Sequence, residues 1–297
     1  MEKIKGALAL GLLHFVALLP WRLVQLLGSF IGWIMWVTPN SSKRVAHINL
    51  SHCFPELDDK AVDKLTRQAL KGIGKTTAES ACAWIWPVEK TLKRVHQVEG
   101  LEVLQQAVAE GKAIVGITSH LGNWEVLNHF FCQQCSPIIF YRPPKLKALD
   151  DLLAKQRTKM GNRVAPSTRE GILRVIKEVR NGGAVGIPAD PEPSLNSGIF
   201  VPFLGTQALT SKFVSGMVAG KQDRVAAVFL HAIRLENGQG FKVIIEAAPY
   251  DLYSENTTES VTALSRTIAG YVGRGPDQYM WTMKRFRRRP GSEPRWY

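Results

Sequence analysis

From residue 113 onward the chain alternates short apolar runs with helical stretches, and that alternation narrows its possible folds more than any other feature. AIVGIT (113–118), PIIFY (137–141), GAVGIP (183–188), RVAAVFLHAI (224–233) and FKVIIEA (241–247) suit buried strands. Helical spacing and helix formers occupy 122–134, 146–160, 169–181, 209–221 and 257–273, as well as 58–82 and 99–110 upstream. Strands alternating with helices of these lengths predict an α/β fold, a mixed sheet flanked by helices. No linker divides the stretch, so residues 39–297 read as one catalytic-size domain.

The first 38 residues are different. Residues 6–37 are interrupted only by His14, Arg22 and Gln25, and apolar side chains cover every face of a helix. Pro20 splits the segment into runs of about 14 and 15 residues, each marginal for a bilayer core of about 30 Å. Trp21, Trp33 and Trp36 suit the headgroup level. The stretch is too long for a signal peptide and lacks a clear cleavage site. The expectation is an uncleaved membrane-anchor helix over 1–38 that spans, re-enters or lies in the interface. The alternative is a buried helical pair. Lys43 and Arg44 just beyond it favour a cytoplasmic catalytic domain.

Charge enters at this point. Thirty-eight Lys and Arg against 25 Asp and Glu leave +13, which implies an anionic partner. The run KRFRRR (284–289) fits nucleic acid or an acidic lipid surface; beside an apolar N-terminus, the lipid surface is preferred. Four cysteines are too few for a disulfide scaffold. Cys132-x2-Cys135 with His129 lacks the second pair of a zinc site, so no metal is assigned. No nucleotide-binding glycine motif calls for a cofactor.

The chemistry concentrates in AIVGITSHLGNWE. A buried strand ends at Thr118-Ser119, and ligands of open α/β sheets bind outside the carboxyl ends of strands. Five residues diverge by about 140° on one continuous helix, so His120 and Glu125 converge only if His120 precedes the helix and Glu125 lies in its first turn. Gly122-Asn123 permits that bend. Such a pair suits acyl transfer to a hydroxyl, with His120 as general base and Glu125 fixing its tautomer. A strand-end histidine bonded to backbone would leave the same pattern. Other strand-end candidates are Arg142 for a lipid phosphate, Arg169 for phosphate or oxyanion, and Asp190 for substrate or an arginine. Phe200, Pro202 and Phe203 suit either an acyl slot or core packing.

Taken together, these motifs resemble those of the late acyltransferases of lipid A biosynthesis, the lauroyl and myristoyl transferases. That family sits within the wider glycerolipid-type acyltransferases with a His-x4-acid motif. The resemblance covers the apolar N-terminus, HINLSHCFPEL (47–57), SHLGNWE (119–125), FYRPPK (140–145), ADPEPSLNSGIFVPFLGTQALT (189–210) and the tail 277–297. It implies a glycerolipid acyltransferase-like fold and His120 with Glu125 as the catalytic dyad. It also implies transfer from acyl carrier protein to a hydroxyl of an anionic lipid A precursor, at the cytoplasmic face of a bacterial inner membrane. Where the family commonly shows Asp-Gln, this chain has Asp190-Pro191-Glu192, a departure expected to bear on acceptor choice. Another glycolipid or phospholipid acceptor keeps the same dyad. A non-catalytic basic module at a membrane or nucleic acid is the reading from a different class.

Overall fold

Pro20 bars a continuous N-terminal helix, because its ring clashes with the preceding turn and lacks an N–H. The computed structural model describes residues 2–144, 146–158 and 163–297. It breaks the apolar segment into α1 (Glu2–Leu18) and α2 (Trp21–Val37), followed by α3 (Ser41–Cys53), which Asn40 caps, and α4 (Asp59–Ile85). Both α1 and α2 pack on α4. The α2–α4 crossing brings backbones together. A Cβ built at Gly28, Gly32 or Gly74 would lie 2.2–2.5 Å from the opposing main chain, so this approach requires glycine.

Only one side of each helix is covered. Leu8, Leu12 and Phe15 on α1, and Leu26, Phe30 and Trp33 on α2, repeat the same i, i+4, i+7 spacing and are all exposed. Each helix has 17 residues, about 26 Å at 1.5 Å per residue, and none among the described residues is long and apolar enough to cross a membrane. The expected anchor over 1–38 thus has no spanning helix among the described residues to support it. Instead of a spanning helix there is a broken pair with one face packed on the domain and one face uncovered.

The remaining elements follow in chain order: α5 (Val88–Leu92), β1 (Val95–Glu99), α6 (Leu101–Ala109), β2 (Ala113–Thr118), α7 (Trp124–Cys135), β3 (Ile138–Tyr141) and α8 (Lys147–Thr158). Next come β4 (Arg163–Pro166), α9 (Arg169–Arg180), β5 (Ala184–Pro188), β6 (Gly198–Phe203), β7 (Thr206–Ser211) and α10 (Phe213–Val218). The chain finishes with β8 (Val225–Arg234), β9 (Phe241–Ala247) and α11 (Thr257–Arg274), before a largely irregular tail.

Seven strands form a mixed sheet in the order β1-β9-β8-β2-β5-β3-β4, as the alternation predicts. Strands β8, β2, β5, β3 and β4 are parallel, β9 is antiparallel to β8, and β1 is parallel to β9. Side chains alternate between two cores. Val115 and Ile117 of β2 pack with α9, α10 and α11, whereas Ile114 packs with α6 and α7.

Two differences from the sequence reading have local causes. The helix expected over 209–221 is only Phe213–Val218, because residues 206–211 pair with β6 across a turn at Leu204-Gly205 (φ 45° and 76°). Strand β1 has almost no apolar run to reveal it, being an edge strand with four of its five residues exposed. The helix expected over 146–160 is described over Lys147–Thr158; residues 159–162 and Lys145 of the FYRPPK stretch lie outside the described residues.

Candidate active site

Between β2 and α7 the chain turns through Ser119, His120, Leu121, Gly122 and Asn123. Gly122 has φ +69°, and a Cβ there would meet the Ala232 carbonyl at 2.1 Å. The turn is tied on both sides. The N–H of Asn123 donates to Ala232 O at 2.8 Å, that of Gly122 to Gln278 O at 3.0 Å, and that of Met280 to His120 O at 2.9 Å. Asn123 caps α7, its side-chain oxygen accepting from the N–H groups of Glu125 and Val126 at 3.1 Å each. His120 thus precedes the helix and Glu125 lies in its first turn, the arrangement under which the two converge.

Strand register supplies the third member. Strands β2 and β5 run parallel with Thr118 opposite Pro188, so two residues further on His120 and Asp190 face each other. The His120 N–H donates to Asp190 Oδ2 at 3.0 Å, and Nδ1 lies 3.0 Å from Oδ1 and 3.2 Å from Oδ2. The Tyr279 hydroxyl donates to Oδ2 at 3.0 Å, bringing the C-terminal tail into the site. Asp190 is fully buried, while the His120 side chain keeps 23% of its surface.

Burial alone would lower the His120 pKa. The Asp190 carboxylate and its hydrogen bond, with the charge of Glu125, outweigh that and raise it above 6.5. Burial alone would raise Asp190, but the His120 imidazole and its hydrogen bonds, with Arg285, hold it below the usual carboxylate range. An ionised carboxylate only accepts, so Nδ1 carries the proton and Nε2 presents a lone pair. The sequence reading gave the orienting place to Glu125 and gave Asp190 to substrate or an arginine. The structure puts Asp190 at Nδ1 and leaves its carboxylate no exposed surface for substrate. Glu125 is buried and lines the same cavity as His120.

Behind the turn, Ser119 Oγ meets His231 Nε2 at 2.9 Å, and burial pushes the His231 imidazole down to about 3, so it stays neutral. A second buried group is Glu79 of α4. It accepts from Arg234 Nε at 2.6 Å and Nη2 at 2.7 Å, from Gln25 at 2.7 Å and from the Asn123 amide at 3.1 Å. Tyr279 lies in the tail 277–297 that carries part of the resemblance, whereas Glu79 and Arg234 belong to no motif of the sequence reading. The available signal was a charge inside an apolar run, in AESACAWI and in VFLHAIR.

Next to His120 lies a cavity of about 320 Å³, walled by Trp124, Leu127, Phe131, Ile139, Leu153 and Leu230, with Arg142 also on its lining. Arg169 is exposed at the start of α9 and takes no part in that lining. Phe200, Pro202 and Phe203 lie on β6 away from it. Phe203 is core, packed against Tyr279 and Phe286. Cys132 and Cys135 lie on α7 and are not joined in a disulfide.

Most of the basic run proves structural. Arg285 is buried and donates to Leu209 O and Thr210 Oγ1, Arg288 pairs with Glu192 at 2.6 Å, and Arg289 pairs with Glu293 at 2.7 Å. Only Lys284 and Arg287 of the run are exposed. Glu192, part of the departure at 190–192, is thus half of an ion pair that ties the tail to the loop after β5, and Pro191 is exposed.

A family model for bacterial lipid A biosynthesis acyltransferases matches residues 3–288. Among similar proteins is the lipid A biosynthesis lauroyltransferase of Escherichia coli (strain K12), 23% identical over 290 residues covering 98% of this chain and 94% of the relative. The palmitoleoyltransferase of the same organism is 23% identical, with 97% and 92% covered, and the myristoyltransferase is 23% identical, with 90% and 80% covered. With a match over nearly its whole length, the chain belongs to the bacterial lipid A biosynthesis acyltransferase family and is an O-acyltransferase.

Proposed function

We propose that this enzyme moves a fatty acyl group from the thioester of acyl carrier protein to a hydroxyl of an anionic lipid A precursor, with His120 as general base. The observation that carries this reading is the Asp190–His120 pair. A buried carboxylate fixes the imidazole with its lone pair at Nε2, beside an apolar cavity. The acceptor O–H gives its proton to Nε2 as its oxygen attacks the thioester carbon. Collapse of the tetrahedral intermediate breaks the C–S bond, and the departing sulfur takes the proton back from the imidazolium. An ester and a carrier thiol result, with no enzyme nucleophile and no cofactor. Asp190 stabilises the imidazolium, and Glu125, the second carboxylate beside it, adds to that effect.

The apolar walls of this cavity suit it to receive the acyl chain beside His120. Arg142 at this cavity and Arg169 on the neighbouring helix are the cations for the acceptor phosphates. The uncovered stripes of α1 and α2 support residues 1–38 as the membrane-seating segment of a catalytic domain over 39–297. They lie on the inner membrane from its cytoplasmic side rather than crossing it. The remaining exposed cations offer a surface to the acidic carrier protein.

The test is the purified enzyme in detergent with a lipid A precursor and either acyl carrier protein thioester or acyl-coenzyme A, read by mass spectrometry. The expected product is the precursor plus one acyl chain, formed with the carrier thioester. Acylation of a phospholipid in place of the precursor would overturn the acceptor assignment, and equal use of acyl-coenzyme A the donor assignment.

A further inference from the structure

Four elements meet at the Glu79 carboxylate. Arg234 of β8 holds both its oxygens, Asn123 of the catalytic turn donates to Oε2, and Gln25 of α2 donates to Oε1. Thr76, one turn earlier on α4, bridges Arg234 at 2.8 Å to the Gly122 carbonyl at 3.2 Å. Asn123 is fully buried, Glu79 is 1% exposed, and Gln25 and Arg234 are each 8% exposed. Burial would raise the Glu79 pKa, but the charge and hydrogen bonds of the Arg234 guanidinium, with those of Gln25 and Asn123, outweigh it, so the carboxylate stays charged.

The arrangement asks more of these groups than packing. Asn123 uses its side-chain oxygen to cap α7 and its amide to reach Glu79, so one residue fixes the turn to both helices. Gln25 sits on the packed side of the helix whose other side carries the exposed Leu26, Phe30 and Trp33 stripe. The hydrogen-bonded path therefore runs from the membrane-seating helix, through α4, to a residue three positions from His120.

We propose that Glu79 is a positioning residue for His120, and that the Gln25–Glu79–Asn123 relay makes the seating of α2 on α4 part of active-site assembly. This rests on the reading of His120 as the base. With Gln25 on Oε1, the carboxylate presents Oε2 to Asn123, the turn is held against α4, and His120 stays in register with Asp190. Without the tether the turn keeps its backbone bonds to Ala232, Gln278 and Met280 but is held less firmly against α4, enough for a small shift. A misplacement of about 1 Å at a reacting group costs on the order of a hundredfold in rate.

The test uses the full-length chain and variants that spare the cap. Asn123→Ser keeps a capping oxygen but loses the amide donor. Asn123→Asp keeps the cap but sets a carboxylate against Glu79, and Glu79→Gln with Asn123→Asp restores an amide–carboxylate pair with the charges exchanged. Each Asn123 variant is expected to lower kcat by about ten- to a hundredfold while KM for the acyl donor is unchanged, and the double variant is expected to recover most of the loss. Gln25→Leu is expected to lower kcat less, with vesicle binding intact. The imidazole NMR signal of His120, titrated in the same proteins, reads its alignment with Asp190 independently of turnover. Its pKa is expected to fall in Asn123→Ser and return in the double variant. An unchanged His120 titration in Asn123→Ser, or a double variant no better than its worse parent, overturns the relay. If the variants show these titration shifts while the wild-type enzyme transfers no acyl group, the acyl-transfer reading is refuted and the relay stands.

Discussion

Replacing Asp190 by Asn separates the part played by this carboxylate from that of Glu125. Oδ2 accepts from the His120 N–H and the Tyr279 hydroxyl, while Oδ1 accepts from Nδ1. An amide of the same shape has one accepting oxygen, and the two donors at Oδ2 fix where it goes. The NH2 group then replaces Oδ1 and points at Nδ1, so the imidazole must turn its lone pair inward and carry its hydrogen on Nε2. The base is thus in the wrong tautomer. A loss of about 10⁴ in kcat is expected, the size seen when a His-orienting acid becomes an amide, or about 5 kcal/mol in the barrier at 1.36 kcal/mol per tenfold. Only burial, which lowers the imidazole pKa, and Glu125 would then act on it. The acidic limb of kcat/KM, which reports the base deprotonating, should move from above 6.5 to lower pH as the rate falls. The assay is mass-spectrometric product formation across pH, with saturating carrier thioester for kcat and thioester well below KM for kcat/KM. Asp190→Asn within tenfold of wild type, or an acidic limb that stays in place, refutes the assignment. A larger loss from Glu125→Gln would return the orienting role to Glu125.

Other residues give independent checks. Gly122→Ala places a Cβ against the Ala232 carbonyl in a left-handed conformation. It should cost more than the ~1–2 kcal/mol of the backbone strain alone in denaturant unfolding, and should remove activity. Phe131 is 3% exposed and walls the apolar cavity, so Phe131→Leu should shift preference toward longer chains in competition between acyl donors; an unchanged preference would place the chain elsewhere. Phe30→Ser with Trp33→Ser removes two side chains that are 54% and 49% exposed. At about 1–1.5 kcal/mol each, vesicle partitioning should weaken roughly 30- to 160-fold while thermal stability is retained.

The parallel core was legible because its strands are buried on both faces and read as unbroken apolar runs, Ile114 to Ile117 and Ala184 to Ile187 among them. Strand β1 was not, since an edge strand with exposed side chains carries no such run. His120 stood out from its place at a strand end. Its pairing with Asp190 depends on register between strands 70 residues apart, which no local pattern in either strand records. The contact between Glu79 and Arg234 joins residues 155 apart and leaves no local pattern. Burial also decided the fate of KRFRRR, because Arg285 and Phe286 point into the core, which a charge count along the chain does not reveal.

The most direct measurement is the mass of lipid A from cells lacking this gene and re-expressing either the wild-type protein or His120→Ala, at equal levels in membranes. Wild type is expected to add the mass of one acyl chain and His120→Ala to add none. Lipid A that gains the same chain with His120→Ala would contradict His120 as the base, and lipid A identical in all three strains would contradict the lipid A assignment itself.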